Sequence, residues 1–415
     1  MKIAHIVQNY FPSLGGTQTL FRNVSERLAN QFNDEVTVFT TNSFLGPEKP
    51  LFKKIQLIEE TIESVNIKRF AFFKFQKPII NVLLKFCIKL GLNNLKHRLV
   101  SLYLGPWSPS MIKAVIAYQP DIICASSSDY LYMQLPLYLQ KHHIRIPFVF
   151  MGAVHFKEDE SYHPLAPRTL EAIHLSDAYI ANTTYEKERL IKYGVNADKI
   201  KVVGCGVALE DFNKVYDGSL HQRFPIGQKK VIGYVGRHEA SKGIDTLIDA
   251  MQLLWQQGED CFLLIAGSVS PYTEQLLAKL KALPPAFQQH YALVSNFTDE
   301  EKKQIYLSLD VFVSVSKAES FGIVYLEAWA CKKAVIGANI GAVRSVISDN
   351  KDGFIVEPDS PDTLANRIQQ LTRDKALAQQ LGENGYQKVK AQYTWDIIAA
   401  KYRAVYTEVL DAPIP

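Results

Sequence analysis

Short apolar runs alternate with amphipathic stretches along the whole chain. KIAHIVQ at 2–8, EVTVFT at 35–40, VNIKRF at 65–70, DIICASS at 121–127 and IPFVFMGAVHF at 146–156 have the β-branched, nearly continuous hydrophobicity of strands buried on both faces. NYFPSLGGTQTL follows the first of them and opens a helix at 17–30, and DAYIANTTYEKERLIKYG at 177–194 reads as strand, turn and helix. There Thr183 or Thr184 is the expected cap, with Glu186 or Glu188 near the helix start. KIKVVGCGVALEDF at 199–212 closes the first half, and the polar, breaker-rich stretch 213–230 reads as a connection. The rhythm resumes with VIGYVG, CFLLIAGS at 261–268, YALVSNF, DVFVSV at 310–315 and AVIGA, each followed by a helical stretch. Thr298 and Glu301 have the spacing of a capping box. The segment 360–390 is helical, an amphipathic helix spans 395–410, and APIP ends the chain. Strand and helix alternating in both halves predict an α/β chain with two parallel-sheet domains, 1–212 and 231–390.

A length of 415 residues suits two cores better than one, and 47% hydrophobic with 21% charged residues is an ordinary globular composition. The net charge of +4 is too small to argue for nucleic acid as a partner. Cys87, Cys124, Cys205, Cys261 and Cys331 are odd in number and widely spaced, and they read as small core residues in a reducing compartment, not as disulfides or a zinc site. Polar residues interrupt the first apolar run at once, so it reads as a strand and not as a signal peptide.

The placement of charge says more than its total. Between Glu63 and Asp121 there is no acidic residue, while Lys68, Arg69, Lys74, Lys77, Lys85, Lys89, Lys96, Arg98 and Lys113 punctuate an apolar, aromatic-rich sequence. The stretch 68–104 is therefore a candidate for peripheral contact with an anionic membrane, its lysine stems lying along the apolar surface. A pair of ordinary domain helices with lysines in water fits the same composition. No apolar run is long enough to cross a bilayer.

Candidate chemistry collects in a few loops. Gly15 and Gly16 follow the first strand, where paired glycines let backbone approach a ligand or simply make a tight turn. The fingerprint GxGxxG is absent, which removes the main support for a nicotinamide or flavin cofactor. In VIGYVGRHEASKG, Arg237 and Lys242 flank a predicted helix start, an arrangement suited to a diphosphate. In SKAESFGIVYLEAWA, Glu319 precedes a strand-to-helix turn and Glu327 lies inside the helix. Backbone N–H groups at that helix start, from Phe321 and Gly322 to Ile323 and Val324, suit phosphate oxygens, and the carboxylates suit hydroxyls. Spacing alone also fits a helix with one acidic residue near its cap and a second on the solvent face. His155 falls at a strand end, the usual place for ligand contact in an open α/β sheet, and His163 stands in the loop beyond it.

The stretch E-S-F-G-I-V-Y-L-E, two glutamates separated by seven residues with Phe-Gly between them, resembles the signature of the retaining glycosyltransferases called family 4, or the glycogen-synthase-like superfamily. G-R-x-x-x-x-K-G resembles the phosphate-clamping motif of the same family, and the likeness covers most of the chain, most strongly from about 230 to 360. It implies a GT-B fold, with two Rossmann-like parallel-sheet domains facing across a cleft and the C-terminal helix 395–410 returning to the first. It implies a nucleotide-sugar donor, a UDP- or GDP-hexose, with no cofactor and no metal.

By that resemblance Arg237 and Lys242 grip the diphosphate, Glu319 holds donor-sugar hydroxyls, and Glu327 binds the ribose. Gly15 and Gly16 lie against diphosphate and acceptor, Asn296 and Phe297 lie near the base, and His155 faces the sugar near its anomeric carbon. The expected acceptor is a glycan or lipid-linked glycan, and the expected location is cytoplasmic, on the inner face of the cell membrane. Cys205, Ala342 and Ser345 depart from the family pattern, where Asn, Gly and Glu are usual. Two readings remain beside transfer: a phosphorylase or epimerase on the same architecture, for which no titratable set or marked lysine is found, and a membrane-peripheral binding or scaffolding protein without turnover.

Overall fold

A computed structural model describes residues 1–13, 15–44, 53–71, 77–93, 95–96, 99, 108–126, 135–152, 154, 156 and 167–412. Contacts group Met1–Gly46, Pro50–Gly204 and Trp395–Pro415 into one unit and Cys205–Thr394 into a second. His155 and His163 lie outside the described residues.

The first unit is built on strands β1 (Lys2–Ile6), β2 (Glu35–Thr41), β3 (Glu59–Ile62), β4 (Val65–Phe70), β5 (Ile122–Ser126), β6 (Phe148–Met151), β7 (Ala178–Ala181) and β8 (Ile200–Val202). They form one sheet in the order β8-β7-β6-β5-β1-β2-β4-β3. Every neighbouring pair is parallel except β3 and β4, whose connection through Glu63 and Ser64 has φ of 47° and 65°, the positive values a two-residue hairpin turn requires. The strand order reverses between β1 and β5. The loop that leaves β1 therefore carries Gly15, and Gly16 begins helix α1 (Gly16–Phe32) at the sheet's switch point.

Helix α1 buries Leu20, Phe21, Val24, Leu28 and Ala29, one face at helical spacing. It packs against the helix Trp395–Asp411, which Asp396 ties to Arg27 (2.7 Å) and Gln31 (2.9 Å). His5, fully buried in the middle of β1, joins the three elements: Nδ1 lies 2.7 Å from Ser25 Oγ and Nε2 lies 3.0 Å from Tyr406 Oη. Burial pushes this imidazole down to about 3, so it is neutral across the physiological range. Among its described side chains, helix α2 (Lys77–Lys89) turns Ile80, Leu84 and Cys87 inward, where they meet Leu99 in a small cluster.

Thr183 caps the helix Thr184–Lys192 by accepting from Glu186 N–H (3.0 Å), the first of the paired alternatives open in the sequence. The carboxylate of Glu186 then turns back under β6 and β7, accepting from Asn182 N (2.7 Å), Tyr179 Oη (2.7 Å) and Val154 N (3.3 Å). Burial outweighs these three donors and raises the Glu186 carboxyl to about 7.

The second unit has strands β9 (Lys230–Val235), β10 (Cys261–Gly267), β11 (Tyr291–Ser295), β12 (Val311–Ser314), β13 (Ala334–Ala338) and β14 (Phe354–Val356). All are parallel, in the order β11-β10-β9-β12-β13-β14. This is the doubly wound dinucleotide-fold order, with its switch point between β9 and β12. Thr298 and Glu301 form the expected capping box at the start of helix α3 (Asp299–Ser308).

A carboxyl raised from 4.5 to about 7 ionises in the unfolded chain before it does so in the fold. The native state then binds more protons, so this group's contribution to stability is present below about pH 4.5 and is lost as pH rises through about 7. The loss is on the order of 3 kcal/mol. Glu186→Gln is expected to flatten the fall of the unfolding midpoint across that window, whatever its effect on the level. A slope identical to wild type would show that Glu186 does not titrate there.

Candidate active site

The chain leaves β9 and β12 on either side of the switch point, and the two loops are stitched together. Lys317 N donates to Ser241 O at 2.8 Å, and Ser316 Oγ reaches the carbonyls of Ser241 (3.2 Å) and Ala318 (2.8 Å). Gly243 has φ of 71°, and a Cβ there would stand 2.2 Å from the Val315 carbonyl oxygen, so only glycine lets the loops meet this closely. The consequence is one contact. Lys242 Nζ lies 2.9 Å from Glu319 Oε2, with both side chains about 15% exposed.

Arg237 leaves the same loop on the outside. The preceding strand end is fixed because Tyr234 Oη donates to Arg237 O (2.9 Å), while His238 turns inward and is fully buried, its Nδ1 3.2 Å from Thr273 Oγ1. Burial lowers the His238 imidazole, so it adds no charge beside the two cations. The Arg237 guanidinium is 59% exposed and touches Glu239 at 2.8 Å. This loop pair holds two cations, each paired with a carboxylate: Lys242 largely enclosed with Glu319, and Arg237 exposed with Glu239.

Helix α4 (Ile323–Ala330) begins directly after this pair. Gly322, at φ of 95°, turns the chain into the helix, and a Cβ there would stand 2.5 Å from the Tyr325 ring. Phe321 points inward: it is buried, with its ring edge-on to Tyr393 at 5.7 Å, so what this residue offers a ligand is backbone. Ile323 and Val324 are half-buried, and the first N–H groups of the helix have no partner within it.

Glu327 does not sit on a solvent face. Its Oε1 accepts from Lys302 Nζ (2.8 Å) and its Oε2 from Tyr306 Oη (2.7 Å), both on α3. Glu327 raises the Lys302 ammonium above its ordinary value, while burial and then Glu327 raise the Tyr306 phenol. A carboxylate has further lone pairs beyond two such bonds, so ribose hydroxyls remain within its capacity. Lys302 and Tyr306 had no signal in the sequence beyond a helical stretch; only the fold brings them to Glu327. Asn296 and Phe297 follow β11, with Asn296 exposed at φ of 53° and its N–H donating to Gly267 O at 3.1 Å.

A cavity of about 480 Å³ opens instead at the N-terminal ends of β9 and β13, lined by Lys230, Lys332 and Lys333 among others. These amines are already engaged, by Asp310 (3.0 Å), Glu383 (2.9 Å) and the Leu307 carbonyl (2.8 Å). Ligands of this sheet type bind at the opposite, C-terminal ends of the strands. Among the described residues, no group of three or more His, Cys, Asp or Glu could hold a metal ion.

Similarity to known proteins agrees with this geometry. The model for glycosyltransferase family 4 matches residues 14–211, and that for glycosyl transferases group 1 matches residues 219–388. An uncharacterised glycosyltransferase of Methanocaldococcus jannaschii is 29% identical over 64% of this chain and 70% of its own length. The D-inositol 3-phosphate glycosyltransferase of Jonesia denitrificans is 32% identical over 57% of this chain and 58% of its own. Anabaena HepE, solved in complex with UDP and glucose, superposes with a TM-score of 0.71 at 18% identity, covering 98% of this chain and 99% of that one. With both regions matched and both sheets doubly wound, the chain belongs to the family 4-related glycosyltransferases of the GT-B fold.

Proposed function

We propose that this chain is a retaining hexosyltransferase that moves a hexose from a UDP- or GDP-activated donor to a glycan or lipid-linked glycan acceptor at the cytoplasmic face of a membrane. The observation that carries the reading is the Lys242–Glu319 contact of 2.9 Å at the switch point of the second sheet, with Arg237 exposed on the same loop. An enclosed cation paired with a carboxylate and a second cation exposed on the same loop form a receptor for a diphosphate bearing a hydroxyl-rich group. The UDP bound by the structurally similar Anabaena protein is in keeping with it.

Arg237 and Lys242 carry the electrostatic work. As the glycosidic bond breaks, its electron pair passes to the diphosphate oxygen, and the two cations neutralise the charge gathering there. Glu319 accepts hydrogen bonds from sugar hydroxyls and so fixes the anomeric carbon. The departing diphosphate takes the proton of the acceptor hydroxyl on the face it leaves, the acceptor oxygen bonds to that same face, and the configuration is retained. Glu327 accepts from the ribose, with Asn296 and Phe297 beside the base.

Thermal unfolding with UDP, GDP and their hexoses identifies the donor. A ligand present at about a thousand times its Kd adds about 4 kcal/mol. One base is expected to give this shift, and Lys242→Ala or Arg237→Ala to weaken its binding by about tenfold or more. An undiminished shift in both variants would remove the diphosphate clamp.

The stereochemistry is a separate expectation. The product of an α-linked donor is expected to carry an α linkage, read from its anomeric proton coupling. Glu319→Gln is expected to keep nucleotide binding while slowing transfer about a hundredfold. An inverted linkage would end the retaining mechanism.

A further inference from the structure

Most of helix α2 is unused by the protein's own core. Among its described side chains Ile80, Leu84 and Cys87 face inward, while Ile79, Val82, Leu83 and Phe86 on the helix, and Leu90 just beyond it, are 58%, 68%, 44%, 58% and 54% exposed. Taken at 100° per residue, the four on the helix fall on one outward stripe, and exposed Ile88 lies apart from it. Exposed Lys85 and Lys89 run along the edge of that stripe, and Leu92 and Leu95 continue it beyond the helix at 43% and 47% exposure. Contiguous apolar surface of this kind marks an interaction site.

We propose that this stripe seats the first unit on an anionic lipid surface, with Val82, Leu83, Phe86 and Leu90 entering the headgroup boundary and Lys85 and Lys89 meeting lipid phosphates. Charge selects this occupant. The sequence from Ser64 to Pro120 contains no carboxylate, so nothing within this segment neutralises the lysines, and an anionic surface does. A second copy seated with its helix antiparallel is disfavoured by the same feature, because that two-fold contact through the stripe would bring the lysine edges of both copies together, and a parallel one would leave both edges without a counter-charge from this segment. The helix lies in the surface and does not cross it. Its 13 residues reach about 20 Å, and no helix among the described residues is long and apolar enough to span a membrane.

The inference rests on the proposed function only for where the acceptor is met, and vesicle binding is measured without donor or acceptor, so the two fail separately. The full chain is sedimented with vesicles of phosphatidylcholine alone and of phosphatidylcholine mixed with phosphatidylglycerol. Binding is expected to the mixed vesicles only and to weaken as salt rises. The double variant Val82→Glu with Phe86→Glu is expected to lose it by about tenfold or more, and Lys85→Ala with Lys89→Ala to lose most of its salt dependence. Because these side chains point outward, wild-type melting curves are expected for both variants. Phe86→Trp adds an independent readout, a blue shift of emission on mixed vesicles and none on neutral ones. Absent binding, equal binding by wild type and the glutamate variant, or a wild-type dimer that the glutamate pair dissolves without any vesicle binding would each overturn the proposal.

Discussion

An ammonium and a carboxylate 2.9 Å apart, each about 15% exposed, are the constraint around which the second unit's functional face is arranged. Holding two charges out of water carries a desolvation cost that their attraction only partly offsets, so such a pair is weak grounds for stability. It is better understood as a stored arrangement. The loops after β9 and β12 are bonded through Ser241, Ser316 and Lys317, and Gly243 gives up its side chain so that they touch. Lys242 is thereby placed by the fold and largely enclosed, while Arg237 on the same loop is exposed and paired with Glu239. An ion pair in water exchanges partners at little cost, whereas an enclosed one does not.

Much of this was legible in the sequence because it is local. Buried parallel strands read as apolar runs, and VNIKRF at 65–70 folds with those bounds as β4. The Thr298–Glu301 box and the Thr183 cap are patterns of three-residue spacing that the backbone satisfies within a single turn. What was not legible is what only folding brings together. Glu327 acquires Lys302 and Tyr306 from a different helix, and no spacing in the chain announces that meeting. His5 is one polar residue in the apolar run KIAHIVQ, yet it joins β1 to α1 and to a helix about four hundred residues later. The hairpin partner β3 escaped because EETI has neither an apolar run nor a clear alternation; its pairing with β4 organises it. The inward packing of the Phe321 ring against Tyr393 also has no local signal, and it leaves the backbone as what that residue presents.

The basic, apolar region beyond β4 was the most ambiguous part of the sequence, because helices that rest on a core and helices that rest on something else share a composition. Burial separates the two cases at the level of single residues. Ile80, Leu84 and Cys87 pack inward, and the other large apolar side chains of α2 leave much of their surface in water. Exposed phenylalanine, valine and leucine carry an aggregation risk that a surface covering them would remove.

The return of Trp395–Asp411 to the first unit makes the second unit an insertion within the first. Synthesis therefore orders assembly. When Thr394 leaves the ribosome the inner unit has all its strands, whereas the outer unit still lacks the helix that receives Asp34, His5 and Arg27 through Arg403, Tyr406 and Asp396. The half made first is the half completed last. Its buried imidazole at His5 and the apolar face of α1 stay without their final cover until Trp395–Asp411 emerges, so a chaperone acting on the nascent chain would meet the first unit still open while the second is being made.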